Sequence, residues 1–356
     1  MGKLDLSAEN PMSSKIMNIV LILPGDGISG GVRATVIVGN YLLNRGHAVR
    51  ILYRRSPITI KKIVNYVNLL NKKKWLADFK GKTDSFKDIT KCYFNESEII
   101  IGVGMWVSKQ LARLSSLSNP KLQYIHGATP WDIKLMVEAL KLSIPKVVVA
   151  SFLKPIVESF GGGEVLAIIP NGIDRDQYFP SVDNAKRDGI GTIYYSHQAN
   201  DPETILRVLE KISKLRPDIT IRVFSTEKRP KQIPKSSYFR LPSIETAREI
   251  YSKSLVWIVA SKSEGFSMPI LEAMACGSVV VSTDCGGPRD IIKNGENGFL
   301  VPVGDVEGIA KKISELLENP SLLKYMQTHG KETAERFTWK SSIDALENAL
   351  AGLQKT

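Results

Sequence analysis

Short runs of Val, Ile and Leu recur along these 356 residues, and most are followed by a turn and then by apolar positions spaced three and four apart. A strand buried on both faces reads as a continuous apolar run, and the helix that returns the chain to a parallel neighbour reads as a 3.6-residue period. The alternation therefore predicts an α/β chain built on parallel sheets. Strands are expected at Met17–Leu23, Ala48–Tyr53, Ile99–Val103, Leu122–Ile125, Lys146–Ala150 and Leu166–Ile169, with a helix from about Val32 to Asn44 that stops at Gly46. A second series follows at Thr192–Ser196, Thr220–Ser225, Leu255–Ala260, Ser278–Ser282 and Gly298–Val303, with helices near Pro202–Lys214, Met268–Cys276 and Val306–Glu318.

Between the two series, the stretch from Pro170-Asn171-Gly172-Ile173-Asp174 to Asp188-Gly189 is dense in turn formers and acids and marks a boundary. The reading is a loose leader at 1–14, a doubly wound domain at 15–172, a linker at 173–190, a second doubly wound domain at 191–336, and a closing helix within 337–356 that can cross back to the first. Two such sheets would face each other across a cleft. Ligands of open α/β sheets sit outside the carboxyl ends of the strands, so the cleft is the expected site.

Composition narrows the function classes. At 43% hydrophobic and 24% charged residues, the chain can bury substantial cores, which excludes disordered, collagen-like and disulfide-stapled classes. Runs such as Ile19–Leu23 and Leu255–Ala260 are far shorter than the roughly 20 residues of a membrane-spanning helix. Cys92, Cys276 and Cys285 form no CxxC pair, which fits a reducing compartment, with the cytoplasm as default. Met17–Leu23 lacks the cleavage pattern of a signal peptide, and Leu6 stands where a myristoylation signal needs Ser or Thr.

The most informative stretch is Ser261-Lys262-Ser263-Glu264-Gly265-Phe266-Ser267-Met268-Pro269-Ile270-Leu271-Glu272-Ala273-Met274-Ala275-Cys276-Gly277. It follows a strand, turns on Gly265 and opens a helix, so it offers backbone N–H groups at a helix N-terminus, where an anion such as phosphate is favoured. Glu264 in the turn and Glu272 in the helix could accept hydrogen bonds from sugar hydroxyls, one on a transferred sugar and one on a ribose. On physical grounds alone, Glu272 reads equally well as a solvated helix residue.

The E-x7-E spacing of Glu264 and Glu272, within E-G-F-S-M-P-I-L-E-A-M-A-C-G-S-V-V-V-S-T, resembles the donor-binding motif of glycosyltransferase family 4, whose members have the two-domain GT-B fold. Three further stretches resemble that family in the same order: Gly30-Gly31 followed by Arg45-Gly46-His47-Ala48-Val49; Ile169–Asp174 with Phe179; and Cys285–Ile292 with Asn297–Val301. The resemblance implies retaining, metal-independent transfer of a sugar from a nucleotide diphosphate sugar to an acceptor hydroxyl, with no other cofactor. Electrostatic help is then needed for the departing diphosphate and an oxocarbenium-like sugar. Carried over by position, Glu264 contacts the donor sugar and Glu272 the ribose. The amides of Gly265, Phe266, Ser267 and Met268, with Gly30 and Gly31, approach the sugar and phosphates, and His126, ending a strand at the cleft, is a second catalytic-site candidate.

One departure stands out. Where most members carry an Arg and then a Lys that hold the diphosphate, this chain reads Tyr195-Ser196-His197-Gln198-Ala199-Asn200-Asp201. Either His197 and Gln198 assist as hydrogen-bond donors, with Arg33, Lys228, Arg229 or Lys262 supplying the charge, or donor handling is altered. Gly25-x-Gly27-x-x-Gly30 also matches a dinucleotide fingerprint, but Arg54-Arg55 stands where a ribose-binding acid belongs. Gly27-x-Ser29-x-Gly31 matches a hydrolase elbow, and Asp174-Arg175-Asp176 a cation-binding D-x-D that lacks a completing cluster. His47 is read as structural, and His329 has no motif around it.

Charge raises one further expectation. The chain carries 48 Lys or Arg against 36 acids, and 13 of those bases against three acids fall between Arg45 and Lys91. Arg54–Lys82 interleaves them with apolar and aromatic residues, as in a basic amphipathic helix on an anionic membrane surface, where a lipid-linked glycan acceptor would fit. Together these features point to a glycosyltransferase of cell-envelope or surface polysaccharide synthesis, cytoplasmic, extending to the inner face of the cell membrane, and not a nucleic-acid binder. Its rivals are a sugar-nucleotide epimerase of the same architecture and a non-catalytic basic binding module.

Overall fold

The computed structural model describes residues 15–27, 29–55, 75–128, 132–181 and 187–354. The first sheet contains β1 (Asn18–Leu23), β2 (Ala48–Arg54), β3 (Lys82–Phe86), β4 (Glu98–Val103), β5 (Lys121–Ile125), β6 (Lys146–Val148) and β7 (Val165–Ile168). Helices α1 (Gly30–Asn44), α2 (Met105–Ala112), α3 (Ile133–Leu140) and α4 (Leu153–Ser159) accompany it. The second sheet contains β8 (Ile190–Ile193), β9 (Ile221–Ser225), β10 (Tyr238–Arg240), β11 (Val256–Val259), β12 (Val279–Thr283) and β13 (Gly298–Val301). Its helices are α5 (Pro202–Leu215), α6 (Ile244–Lys253), α7 (Met268–Ala275), α8 (Val306–Glu318) and α9 (Pro320–Arg336), followed by α10 (Trp339–Leu353).

All pairings within these sheets are parallel, in the orders β3-β2-β1-β4-β5-β6-β7 and β10-β9-β8-β11-β12-β13. Each sheet reverses its winding once, between β1 and β4 and between β8 and β11. Those are the crevices where a doubly wound sheet takes its ligand. Central strands are covered on both faces, as in β11 and β12, where every residue is buried; β11 is apolar throughout, and β12 is apolar up to its closing Ser282-Thr283.

The expected architecture of two parallel sheets is present. Two strands escaped the sequence reading, β3 and β10, both at sheet edges; β3 is rich in polar residues, and β10 is only three residues long. The first strand of the second sheet also sits earlier than expected, at Ile190–Ile193, because Ile190 pairs with Ile221 and Val256. The basic amphipathic helix needs a correction at both ends: Arg54 closes β2, Trp75–Asp78 is a single 3-10 turn, and Lys82 opens β3. Residues 56–74 of that stretch, like the leader at 1–14, lie outside the described residues. Among the described residues, no helix is long and apolar enough to cross a membrane.

The chain crosses between the two sheets twice, side by side. The Ile173 N–H donates to the Phe337 carbonyl at 2.9 Å, and a Cβ on Gly172 would lie 2.2 Å from the Trp339 nitrogen, so glycine permits this close approach. Beyond that crossing, α10 packs against α1 and β7 of the first sheet. Glu347 of α10 accepts from Arg45 at 2.6 Å and from His47 Nε2 at 2.8 Å. His47 Nδ1 accepts the Met17 N–H at 3.1 Å, which places the ring proton on Nε2 and gives His47 its structural role.

Candidate active site

The carboxyl ends of the two sheets meet. Gly30 and Gly31 follow β1, His126 follows β5, and Ser151 follows β6; opposite them stand the loops after β8, β11 and β12. A Cβ on Gly265 would fall 1.8 Å from the His126 carbonyl oxygen, and one on Gly286, at φ +110°, 2.7 Å from the Phe152 ring. At Gly265 the close approach of backbone to backbone requires glycine. Asp290 clasps the same seam, accepting the Ser151 N–H at 2.6 Å and the Ser151 hydroxyl on its other oxygen.

Glu264 is fixed by its backbone before its side chain matters. It forms an isolated parallel bridge with Gly286: its N–H donates to the Cys285 carbonyl at 3.2 Å, and its carbonyl accepts the Gly287 N–H at 3.0 Å. Its carboxylate accepts from the Ser261 hydroxyl at 2.7 Å and the Asn200 amide at 3.4 Å. Burial pushes its pKa up, and the Ser261 hydrogen bond opposes that shift only in part.

The turn that follows is strained in a useful way. Ser267 adopts φ +74°, ψ +69° as the residue preceding α7, and its side chain caps nothing. The first helical bond there runs from the Ile270 N–H to the Ser267 carbonyl at 3.1 Å, leaving the preceding amides for another acceptor. Phe266 and Met268 bury their side chains, so what they present to the cleft is backbone. At this seam two buried side-chain atoms, Ser267 Oγ and His126 Nε2, make no hydrogen bond within the described residues. Burial pulls the His126 pKa down to about 4, so its ring is neutral near pH 7. Gly31 lies across from that ring, a Cβ there being 3.9 Å from Nδ1.

Glu272, one turn into α7, is buried and already partnered. Its Oε1 pairs with Arg33 of α1 at 2.5 Å, and its Oε2 accepts the Tyr251 hydroxyl at 2.8 Å. Glu272 is thus not a solvated helix residue. Arg33 also donates to the Tyr178 hydroxyl at 3.1 Å, and its guanidinium lies over the rings of Trp75 (5.0 Å) and Tyr178 (5.4 Å). Burial is the largest single influence and acts to lower the Arg33 pKa, but the charge and hydrogen bond of Glu272 together with Tyr178 and Tyr251 outweigh it, so the guanidinium stays firmly protonated. Tyr195 completes the group: its pKa is pushed up to about 12, first by burial and then by the charges of Glu272 and Glu264.

The remaining candidates are placed differently. His197 and Gln198 are exposed around a 3-10 turn, with His197 Nδ1 accepting the Ala199 N–H at 3.2 Å. Lys262 pairs with Asp201 at 3.3 Å, Arg229 donates to the Ile233 carbonyl, and Lys228 is exposed nearby. Ser29 Oγ accepts the Val32 N–H at 3.3 Å, which makes it the cap of α1 and not a nucleophile. Asp174 Oδ1 accepts the Asp176 N–H at 3.0 Å, an Asx turn, and no cluster suited to a metal occurs among the described residues.

Tyr195, Asn200, Ser261, Glu264 and Ser267 line a cavity of about 40 Å³, far below the few hundred that a nucleotide needs. A larger cavity of about 410 Å³, lined by Arg175, Tyr178, Lys331 and Glu335, lies behind α7 and touches none of the predicted site residues. Tyr178, Tyr251, Trp75 and the Ser151–Asp290 clasp were missed by sequence reasoning. Each acts through a partner distant in sequence, and no local motif announces it.

Residues 202–333 match the family model described as glycosyl transferases group 1, a span that contains both Glu264 and Glu272. The D-inositol 3-phosphate glycosyltransferase of Rhodococcus jostii is 31% identical over 156 residues, 42% of this chain and 33% of that protein. The curated relatives first in similarity are matched over about a quarter to a third of their own length. Among solved structures, sucrose-phosphate synthase from Thermosynechococcus elongatus aligns with a TM-score of 0.73 at 17% identity, covering 95% of this chain and 99% of that one. HepE of Anabaena in complex with UDP aligns with a TM-score of 0.73 at 14% identity, covering 94% and 100%. The chain therefore has the GT-B fold, and its second half carries the sequence pattern of the group 1 glycosyl transferases.

Proposed function

We propose that this protein is a retaining, metal-independent glycosyltransferase that moves a sugar from a nucleotide diphosphate donor to a glycan or lipid-linked glycan hydroxyl in polysaccharide or glycoconjugate synthesis. The observation that carries the reading is the loop 264–272: a half-buried Glu264 and a buried Glu272 flanking a helix N-terminus, at the switch point of the second sheet and inside the matched span. Glu264 contacts the donor sugar, Glu272 the ribose, and the amides of residues 265–268 the diphosphate. His126, neutral and with Nε2 unengaged, contacts the sugar as a hydrogen-bonding group and not as a nucleophile. Gly30 and Gly31 let the first domain come close from the other side. The small volume of the cleft means that the domains part to admit donor and close again, which excludes water from an intermediate that it would hydrolyse. The acceptor is held at the inner face of the cell membrane by the basic stretch 54–82, and the enzyme works from the cytoplasm.

The experiment is a thermal-shift screen with uridine, guanosine, thymidine and adenosine diphosphates and their sugar conjugates, followed by proton NMR of the product's anomeric centre. A ligand at a hundred times its Kd adds about 2.7 kcal/mol to native stability, so one nucleotide is expected to raise Tm selectively. Retention at the anomeric carbon is the expected stereochemistry. No response to any nucleotide, with tight salt-sensitive binding to polyanions, would overturn the reading.

A further inference from the structure

The loop that should carry the diphosphate-binding cations has none. From Tyr194 to Leu206 there is no Lys or Arg. The loop is also braced in place, its Ala199 carbonyl accepting the Lys262 N–H at 2.7 Å and the Ser263 N–H at 3.2 Å. Of the cations on neighbouring loops, Lys262 pairs with Asp201 and Arg229 donates to a backbone carbonyl, while Lys228 stands in solvent. A diphosphate carries two to three negative charges, and a helix N-terminus supplies only about half of one.

Arg33 is placed to supply the rest. Its side chain is only 13% exposed, it comes from the first domain, and it ends on Glu272, which lies about 6 Å along α7 from the helix N-terminus. Glu272 has one oxygen on Arg33 and the other on Tyr251, so a ribose hydroxyl competes for an occupied carboxylate. If ribose takes Glu272, Arg33 loses its anion, and a buried unpaired guanidinium is costly. A diphosphate at the start of α7 restores one.

We propose that Arg33 is a donor-diphosphate ligand, contributed across the cleft from the first domain, with Glu272 as its resting partner. The assignment rests on the nucleotide-donor reading above. It makes neutralisation of the leaving group conditional on domain closure, because the cation and the helix N-terminus belong to different domains.

The test is calorimetric titration of wild type, Arg33→Met and the double variant Arg33→Met/Glu272→Gln with UDP, GDP, dTDP and ADP and with the four corresponding nucleosides. The double variant removes both buried charges together, so it keeps the fold if the single change does not, and its amide still hydrogen-bonds a ribose. The expected result is that the preference for diphosphate over nucleoside, taken as the ratio of the two affinities within each variant so that any change in ribose binding cancels, falls at least tenfold in both. A double variant that keeps the wild-type preference overturns the Arg33 assignment and leaves the donor reading standing. Wild type that binds none of the four diphosphates overturns the donor reading, and the assignment with it.

Discussion

Glu264 and His126 face each other across the seam and respond to burial in opposite directions, each toward its neutral form. For Glu264 the folded-state pKa lies above the unfolded one, so the native state binds the extra proton. The stability tied to this group is then complete below the unfolded pKa and is lost as pH rises through the folded one. Above the folded-state pKa the ionised carboxylate is a cost that the fold carries. Glu264→Gln keeps an oxygen for Ser261 and Asn200 while removing the charge. It is expected to raise unfolding free energy by about 0.5–1.5 kcal/mol at pH 8, by less at pH 4.5, and to abolish sugar transfer. Denaturant titrations at the two pH values measure this, and a variant less stable than wild type at pH 8 would contradict it.

At the scale of elements, the loop between β11 and α7 is a connector whose shape is set by contact with the other domain. Gly265→Ala places a methyl group 1.8 Å from the His126 carbonyl oxygen, and backbone cannot step aside as a flexible side chain would. The expected outcome is a fall of tenfold or more in kcat/KM with a Tm within a few degrees of wild type, since the change opens the seam without emptying a core. An active variant would show that this approach is dispensable. How much of this was legible in the sequence depends on the range over which each feature is encoded. Val279–Thr283 reads as a strand because burial on both faces leaves no polar period, and Glu264 and Glu272 stand in one continuous word. The edge strand Lys82-Thr83-Asp84-Ser85-Phe86 shows no such run, because one flank faces solvent and its polar side chains need no core. The Arg33–Glu272 pair joins residues 239 apart, and nothing near either one names the other.

The whole molecule is two sheets joined by a double crossing, and α10 is what makes that joint more than a tether. Its anchor is a small polar cluster in the first domain. Arg45 pairs with Asp344 and Glu347 at 2.6 Å each, and the buried His47 ring sits between Glu347 and the Met17 amide. The second domain is thus held by its own last helix against the back of the first, while the cleft side is held by Arg33–Glu272 and Ser151–Asp290. On the proposed reading, the clasp on the cleft side gives way to admit donor while the one at the back is kept, and the crossing at Ile173 and Phe337 beside it is the place for a hinge. Glu347→Ala removes the acceptor from both Arg45 and His47. With Arg45 a quarter exposed and Glu347 about a tenth, the loss is expected below that of a fully buried pair, about 2–3 kcal/mol. Because α10 couples the two domains, its release is also expected to turn one urea transition into two, followed by tryptophan fluorescence and by circular dichroism. Coincident transitions in Glu347→Ala would show that the domains are coupled through the cleft instead.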